Sequence, residues 1–314
     1  GLGVIAADVN DDRRPAFYVG NDATNNQLYL NRGGKLEERG LSAGVALNDN
    51  GIYDGSMGVD IGDYDASGRA SIWVTNFQGD VHALYQNLGR ELFHHRSHVS
   101  GIAAIGSHYV GFGTGFIDID NDGWEDLAIA NGHVSRDPSL GSTFKQRPVL
   151  LRNIDRKGKR FFEEITTQGG DFFTIPTLGR GMSIGDLDND GWLDLVFTHS
   201  NSPVALIRNI AAESNKNQWI GFNLVGRDNR CMVGSTLRVR VGDRTLTRFV
   251  KGGGSYLSNY DPRLLFGLGA ETGPVTVTVK WSWGKTETWS GLQPGQYWSL
   301  TEGDPGAVSS PKSK

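Results

Sequence analysis

The sequence predicts an all-β protein, a β-propeller with four recognisable blades followed by a small β-sandwich or barrel domain. Three observations carry that expectation. An aspartate-rich loop recurs four times at nearly regular spacing. Glycine is abundant, 44 of 314 residues, about twice the ~7% of an average chain. The segments between glycine-rich turns are short and rich in β-branched and aromatic residues, as strands are.

Composition narrows the classes. With 38% hydrophobic and 21% charged residues the chain is globular rather than disordered. The glycines follow no three-residue period, which excludes collagen. A net charge of −4 with no basic stripe argues against nucleic acid as a partner. No apolar run approaches the ~20 residues that span a bilayer, so no transmembrane segment is expected. The single cysteine, Cys231, excludes an intrachain disulfide framework and a cysteine-based zinc site. The chain opens Gly1-Leu2-Gly3-Val4, flush with a repeat and without a signal pattern. It reads as a processed or partial product whose export signal lay upstream.

The repeat has two landmarks. The first is a glycine-led strand ending in aspartate, at Gly3–Asp8, Gly58–Asp63, Gly113–Asp118 and Gly181–Asp186; these aspartates are 55, 55 and 68 residues apart. The second is Leu28-Tyr29-Leu30-Asn31, Leu84-Tyr85-Gln86-Asn87, Leu150-Leu151-Arg152-Asn153 and Leu206-Ile207-Arg208-Asn209. Within the third unit the pattern predicts strands over Thr114–Asp118, Asp126–Ala130, Pro148–Asn153 and Phe161–Thr166. Four short strands per unit is the build of a propeller blade; a parallel solenoid, with its shorter repeats, ranks second. The blades occupy residues 1–212. Four blades either close a small ring or belong to a larger one, and the partial ring is favoured because an open propeller edge invites pairing. A further segment or a partner chain would then complete it. Residues 216–303 form the second domain, with strands predicted at Thr236–Val241, Thr245–Val250, Val275–Trp281 and Thr286–Trp289. Residues 304–314 are polar and read as a disordered tail.

The loops carry the chemistry. Asp118, Asp120, Asp122 and Asp126, and again Asp186, Asp188, Asp190 and Asp194, follow the pattern D-x-D-x-D-G-x-x-D. Alternate carboxylates converge when such a loop curls, and the glycine permits the sharp turn. Trp124 and Trp192 would offer backbone carbonyls. An all-oxygen, acid-rich set suits Ca²⁺, and carboxylates crowded together repel unless a cation neutralises them. The other two loops are degraded. Asp8, Asn10 and Asp12 keep three oxygens, but Arg13 replaces the glycine and Ala16 the closing acid. Asp63 and Asp65 are followed only by the hydroxyls of Ser67 and Ser71. All of these residues are candidate metal ligands, with weaker binding expected where charge is lost.

On these residues the repeats resemble FG-GAP/VCBS-type propeller blades. Residues from about Trp219 to Glu302 resemble the ASPIC/UnbV domain, on Gly234-Ser235-Thr236-Leu237-Arg238-Val239, Gly252-Gly253-Gly254-Ser255-Tyr256-Leu257-Ser258 and Leu265-Phe266-Gly267-Leu268-Gly269. The pair together is similar to the cartilage acidic protein 1-like family. Trp281-Ser282-Trp283-Gly284 departs from that family's usual Trp-Pro-x-Gly. The resemblance implies a calcium-loaded extracellular propeller with a C-terminal β module, associated with binding rather than a reaction.

The functional expectation is a secreted, extracellular or periplasmic protein that binds protein or polysaccharide through its loop-bearing face and C-terminal module. No catalytic constellation is recognisable. The competing reading is a polysaccharide lyase or hydrolase with structural calcium; a third is a structural subunit completed by another chain. His94, His95 and His98 read as surface-loop residues, and Trp281, Trp283, Trp289, Tyr297 and Trp298 as core packing with sugar stacking the alternative.

Overall fold

The computed structural model describes residues 1–105, 107–139 and 141–310. The chain is all-β. Its first two thirds form four antiparallel sheets laid down in chain order, each a simple meander. Sheet one holds β1 (Gly3–Ala7), β2 (Ala16–Gly20), β3 (Gln27–Asn31) and β4 (Leu36–Glu38). Sheet two holds β5 (Ser56–Gly62), β6 (Ser71–Asn76), β7 (Ala83–Gly89) and β8 (Leu92–His95). Sheet three holds β9 (Gly111–Ile117), β10 (Asp126–Asn131), β11 (Val149–Asp155) and β12 (Arg160–Glu164). Sheet four stops at three strands, β13 (Gly179–Gly185), β14 (Asp194–His199) and β15 (Ser202–Ile207).

Consecutive sheets pack face to face, and the core lies between them. Ile5, Tyr18 and Leu28 of sheet one meet Val59, Ile61 and Ile72 of sheet two. Trp73 and Leu84 meet Phe116, Leu127 and Leu151 of sheet three. Ile117, Ala128 and Leu150 meet Met182, Leu195 and Phe197 of sheet four. In the first three repeats the opening glycine lies where neighbouring first strands approach closely. A β-carbon on Gly3 would lie 2.2 Å from the Met57 carbonyl oxygen, and one on Gly58 would lie 1.9 Å from that of Phe112. Only a residue without a side chain lets the backbones meet this closely.

The second landmark proves to be an inter-sheet staple. The Asn87 side chain donates to the carbonyls of Val9 (2.8 Å) and Ala70 (2.9 Å). Asn153 does the same to Tyr64 (2.8 Å) and Glu125 (3.0 Å), and Asn209 donates to Ile119 (2.8 Å). Each asparagine therefore ties its own unit to the second residue of the preceding unit's aspartate loop.

The remaining strands are β16 (Gln218–Val225), β17 (Thr236–Val241), β18 (Arg244–Phe249), β19 (Gly252–Gly253), β20 (Leu264–Gly269), β21 (Val275–Lys280), β22 (Thr286–Leu292), β23 (Tyr297–Thr301) and β24 (Ala307–Ser310). Apart from β19, which joins the edge of sheet one beside β1, they make two four-stranded sheets, β20-β16-β23-β24 and β18-β17-β21-β22. The sheets share one core that includes Phe222, Leu237, Val239, Phe266, Val277 and Trp281. Residues 304–314 do not all form a tail. Ala307–Ser310 pairs antiparallel with β23, from Leu300↔Ala307 to Tyr297↔Ser310, and Ala307 packs against the core. Backbone pairing needs no apolar side chains, so polar composition concealed this strand. Residues 311–314 lie outside the described residues. No helix among the described residues is long and apolar enough to cross a membrane.

Between β18 and β20 the chain leaves the module and crosses the first strands of all four sheets. Gly252 and Gly253 pair with Ala6 and Ile5 of β1. Ser255 exchanges backbone hydrogen bonds with Val59 of β5, and its hydroxyl accepts the Thr114 N–H of β9 (3.1 Å). The Asp261 N–H donates to the Ile184 carbonyl of β13 (2.9 Å). Strand edges lined with unpaired backbone groups are thereby partly closed by the protein's own chain.

Candidate metal centre

The four aspartate loops emerge at one end of the sheets, between each first and second strand. In loop three the carboxylates of Asp118, Asp120 and Asp122 bring oxygens within 4.8 Å of one another; in loop four Asp186, Asp188 and Asp194 do so. Asn121 (φ 54°) and Gly123 (φ 92°) supply the left-handed turn in loop three; Asn189 (φ 59°) and Gly191 (φ 88°) do so in loop four. Each first aspartate then accepts the N–H of the loop glycine: Gly123 to Asp118 at 3.0 Å and Gly191 to Asp186 at 2.9 Å.

The closing aspartates are positioned by the repeat's own frame. Asp126 accepts the N–H groups of Ile119 (3.2 Å) and Asn153 (2.7 Å). Asp194 accepts those of Leu187 (3.0 Å) and Asn209 (2.8 Å). The two trios differ in membership: Asp126 stands outside that of loop three, whereas in loop four the closing Asp194 is included and Asp190 is not. Trp124 lies under the Arg160 guanidinium, 3.6 Å from its ring centre, and Trp192 is buried.

Electrostatics fit a cation. Burial pushes Asp118 up to about 8; Arg248 opposes that shift, and Asp122 and Asp120 add to it. Burial also raises Asp122, Asp126, Asp186, Asp190 and Asp194, and in each case neighbouring groups then modify the shift. The Asp118 Oδ1 atom is buried with no hydrogen-bond partner, a costly condition for a carboxylate oxygen. An oxygen-only donor set with such an orphan fits Ca²⁺. Asp118, Asp120, Asp122, Asp186, Asp188 and Asp194 would hold it.

Loops one and two are brought to no comparable trio among the described residues. In loop one the Asn10 amide donates to Asp12 and to Glu91, both at 3.1 Å, and Asp8 accepts the N–H groups of Asp12 and Arg13. In loop two Asp65 accepts from Gln86 (2.6 Å) and from the Ser67 N–H (3.2 Å), while Asp63 accepts the Gly68 N–H at 3.0 Å. Protein donors engage these oxygens. Burial, with Glu125 and Asp65 close by, raises Asp63 to about 7.

The loop-bearing end is not the open binding face expected from sequence. The C-terminal module sits on all four loops. Arg13 of loop one donates to the Gly284 carbonyl (2.8 Å), and its own carbonyl accepts the Trp283 N–H (3.1 Å). Glu125 accepts the Asp63 N–H (2.6 Å) and pairs with Arg248 Nε (3.3 Å), linking loop two to the module. Gly267 N–H donates to Asp118 Oδ2 (3.2 Å), and the Tyr297 hydroxyl to Asp186 Oδ2 (2.7 Å). Sequence reasoning missed Gly267, Tyr297 and Arg263 as loop partners; the Leu265–Gly269 motif is the one signal that pointed near them.

Elsewhere, Trp281 and Trp289 are core residues and Tyr297 is buried, whereas Trp283 is exposed. Ser282, in the proline position of the family's turn, donates its N–H to Ser235 Oγ (2.9 Å), a bond proline cannot make. His95 Nδ1 and His98 Nε2 lie 3.7 and 3.6 Å from Asp49 Oδ2.

Residues 226–307, which make up most of the C-terminal module, match the model of the ASPIC and UnbV family. Over most of its length the chain is also similar to cartilage acidic protein 1. The Homo sapiens protein is 26% identical over 301 residues, covering 91% of this chain and 41% of the relative. The Xenopus tropicalis protein is 24% identical over 320 residues, covering 92% and 42%. The chain thus spans about two fifths of the length of these curated relatives. Among solved structures, an Agrocybe aegerita lectin described as recognising non-reducing terminal N-acetylglucosamine aligns with a TM-score of 0.33 at 15% identity. That alignment covers 67% of this chain and 53% of the lectin, and at that score it carries no structural argument.

Proposed function

We propose that this chain is an extracellular or periplasmic calcium-binding module that engages a protein or polysaccharide without transforming it. Its four sheets would be FG-GAP/VCBS-type blades in a propeller-like array. The observation carrying the reading is the paired convergence of Asp118, Asp120 and Asp122 and of Asp186, Asp188 and Asp194 at one position of the repeat. Arg152 pairs with Asp120, and Arg208 Nε lies 2.6 Å from Asp188, so arginines compete for ligand oxygens. The similarity to relatives named cartilage acidic protein 1 supports the extracellular setting.

The test is a calcium titration of thermal stability after thorough chelation. A ligand that binds only the folded state raises the melting temperature with concentration, and an unchanged midpoint would sink the calcium reading. A glycan array with product analysis separates binding from catalysis, since released oligosaccharide would identify a lyase or hydrolase.

A second reading, a subunit whose array is extended by another chain, is favoured by one observation. Val4 on the outer face of sheet one, and Val204 and Leu206 on that of sheet four, are more than half exposed. Native mass measurement decides it, because a stable monomer argues against that assembly.

A further inference from the structure

We propose that the cations of loops three and four latch the C-terminal module onto the sheets, so that cation binding and module docking form one coupled equilibrium. The proposal rests on the calcium reading above and adds the partner of that site, which is the protein's own second domain.

The geometry repeats at both loops. Asp118 and Asp186 each hold the first ligand position, and each uses Oδ2 for two donors. One donor is the loop's own glycine, Gly123 or Gly191. The other comes from the module: the Gly267 N–H of β20 at loop three, and the Tyr297 hydroxyl of β23 at loop four. Two different strands deliver donors of different chemistry to the equivalent oxygen. In loop three the other oxygen, Asp118 Oδ1, is buried and unpartnered. A cation on that side and the module on the other would hold one carboxylate between them.

The module also grips the loop backbone. Gly269 N–H donates to the Asn121 carbonyl (2.9 Å), and Arg244 to that of Asp122 (3.3 Å). Arg263 donates to Asn189 Oδ1 (2.5 Å) and to the Asp186 carbonyl (2.7 Å). These bonds require the tight loop form. Without a cation, Arg152 and Arg208 are left to offset the repulsion among the converged carboxylates, and the surface on which the module sits is held less tightly. Fit at these contacts is close. A β-carbon on Gly267 would lie 2.3 Å from Asp118 Oδ2, and one on Gly191 would lie 1.7 Å from the Trp219 ring.

Loop one holds the module differently. Arg13 bonds to the Gly284 carbonyl, and Lys280 Nζ lies 2.6 Å from Asp11 Oδ1. These contacts use groups outside the converged trios, so they should persist in chelator. The latch therefore acts on the β20 and β23 side, and loop one is a fixed anchor.

Two measurements on the full chain test this: calorimetric titration with calcium chloride, and hydrogen exchange in chelator and in calcium. Coupling is reciprocal. Calcium should slow exchange at the Gly267 and Gly269 amides about tenfold, with little change over Val275–Lys280. Tyr297→Phe, which keeps the ring, should weaken one class of calcium site about tenfold, the usual effect of removing a group that orients a metal ligand. Gly267→Ala should weaken the other class. Far-ultraviolet circular dichroism confirms that each variant is folded, and Tyr297→Phe keeps the test valid should Gly267→Ala fail to fold. Calcium uptake by the unaltered chain, with unchanged exchange and unaltered affinity in Tyr297→Phe, overturns the latch alone. No uptake by the unaltered chain overturns the calcium reading and the latch together.

Discussion

Replacing Asn153 with alanine tests whether the second landmark of the repeat staples neighbouring units. The side chain is 1% exposed. Its amide donates to the Tyr64 carbonyl of the preceding unit and to the Glu125 carbonyl of its own, and its Oδ1 accepts from Arg160 Nε (2.9 Å). Alanine leaves two buried carbonyls without this donor. Each orphaned buried acceptor costs about 1–3 kcal/mol, so a loss of about 2–5 kcal/mol is expected after allowing for non-additivity. Asn209 makes one such bond, to Ile119, in a part-buried setting, and Asn209→Ala should lose only about 1–2 kcal/mol. The assay is urea unfolding in saturating calcium, comparing midpoints at equal slope. A loss below about 1 kcal/mol for Asn153→Ala, or an equal loss for Asn209→Ala, would refute the reasoning.

Two further outcomes follow from buried charge. Lys251 Nζ lies 2.8 Å from Asp60 Oδ1, which is fully buried and also accepts the N–H groups of Ile61 and Phe116. Lys251→Met strands that carboxylate and should cost about 3 kcal/mol, the low end for a broken buried pair because those N–H groups remain; an unmoved urea midpoint would contradict this. Asp118, whose carboxyl is raised from 3.8 to about 8, first by burial, sets a pH dependence. A folded pKa above the unfolded one contributes stability that is full below the unfolded value and lost as pH rises through the folded one. In chelator that contribution should fall between pH 4 and 8. Protons and calcium compete for the same oxygens, so calcium affinity should rise from pH 6 to 8 in calorimetric titrations. A flat profile there would refute the combination of a raised Asp118 carboxyl and its role as a ligand.

Much of the local structure was legible. The third unit's strands were expected at Asp126–Ala130 and Pro148–Asn153 and form at Asp126–Asn131 and Val149–Asp155, because alternation and turn residues act over a few positions. The contrast between complete and degraded loops was legible too. Asn10 supplies an amide donor at the position that Asp120 holds in loop three. What stayed hidden was longer in range. Ala307–Ser310 forms through backbone pairing, which leaves no hydrophobic pattern to read. The Trp281, Trp289 and Trp283 side chains look alike in sequence and separate into core and surface only once two sheets have closed over them.

The sequence by itself determined the repeat, the all-β class and the carboxylates able to converge on a cation, because each depends on residues within one short segment. Only the tertiary structure decided what the loop-bearing end faces. Gly267 and Tyr297 are 149 and 111 residues from the aspartates they touch, and no local pattern encodes a hydrogen bond across that separation. The glycine-rich run after β18 shows the same limit. It reads as a flexible break in a small domain. Yet its missing side chains let residues 252–255 lie against β1 and β5, close to strand edges that the sequence alone left open.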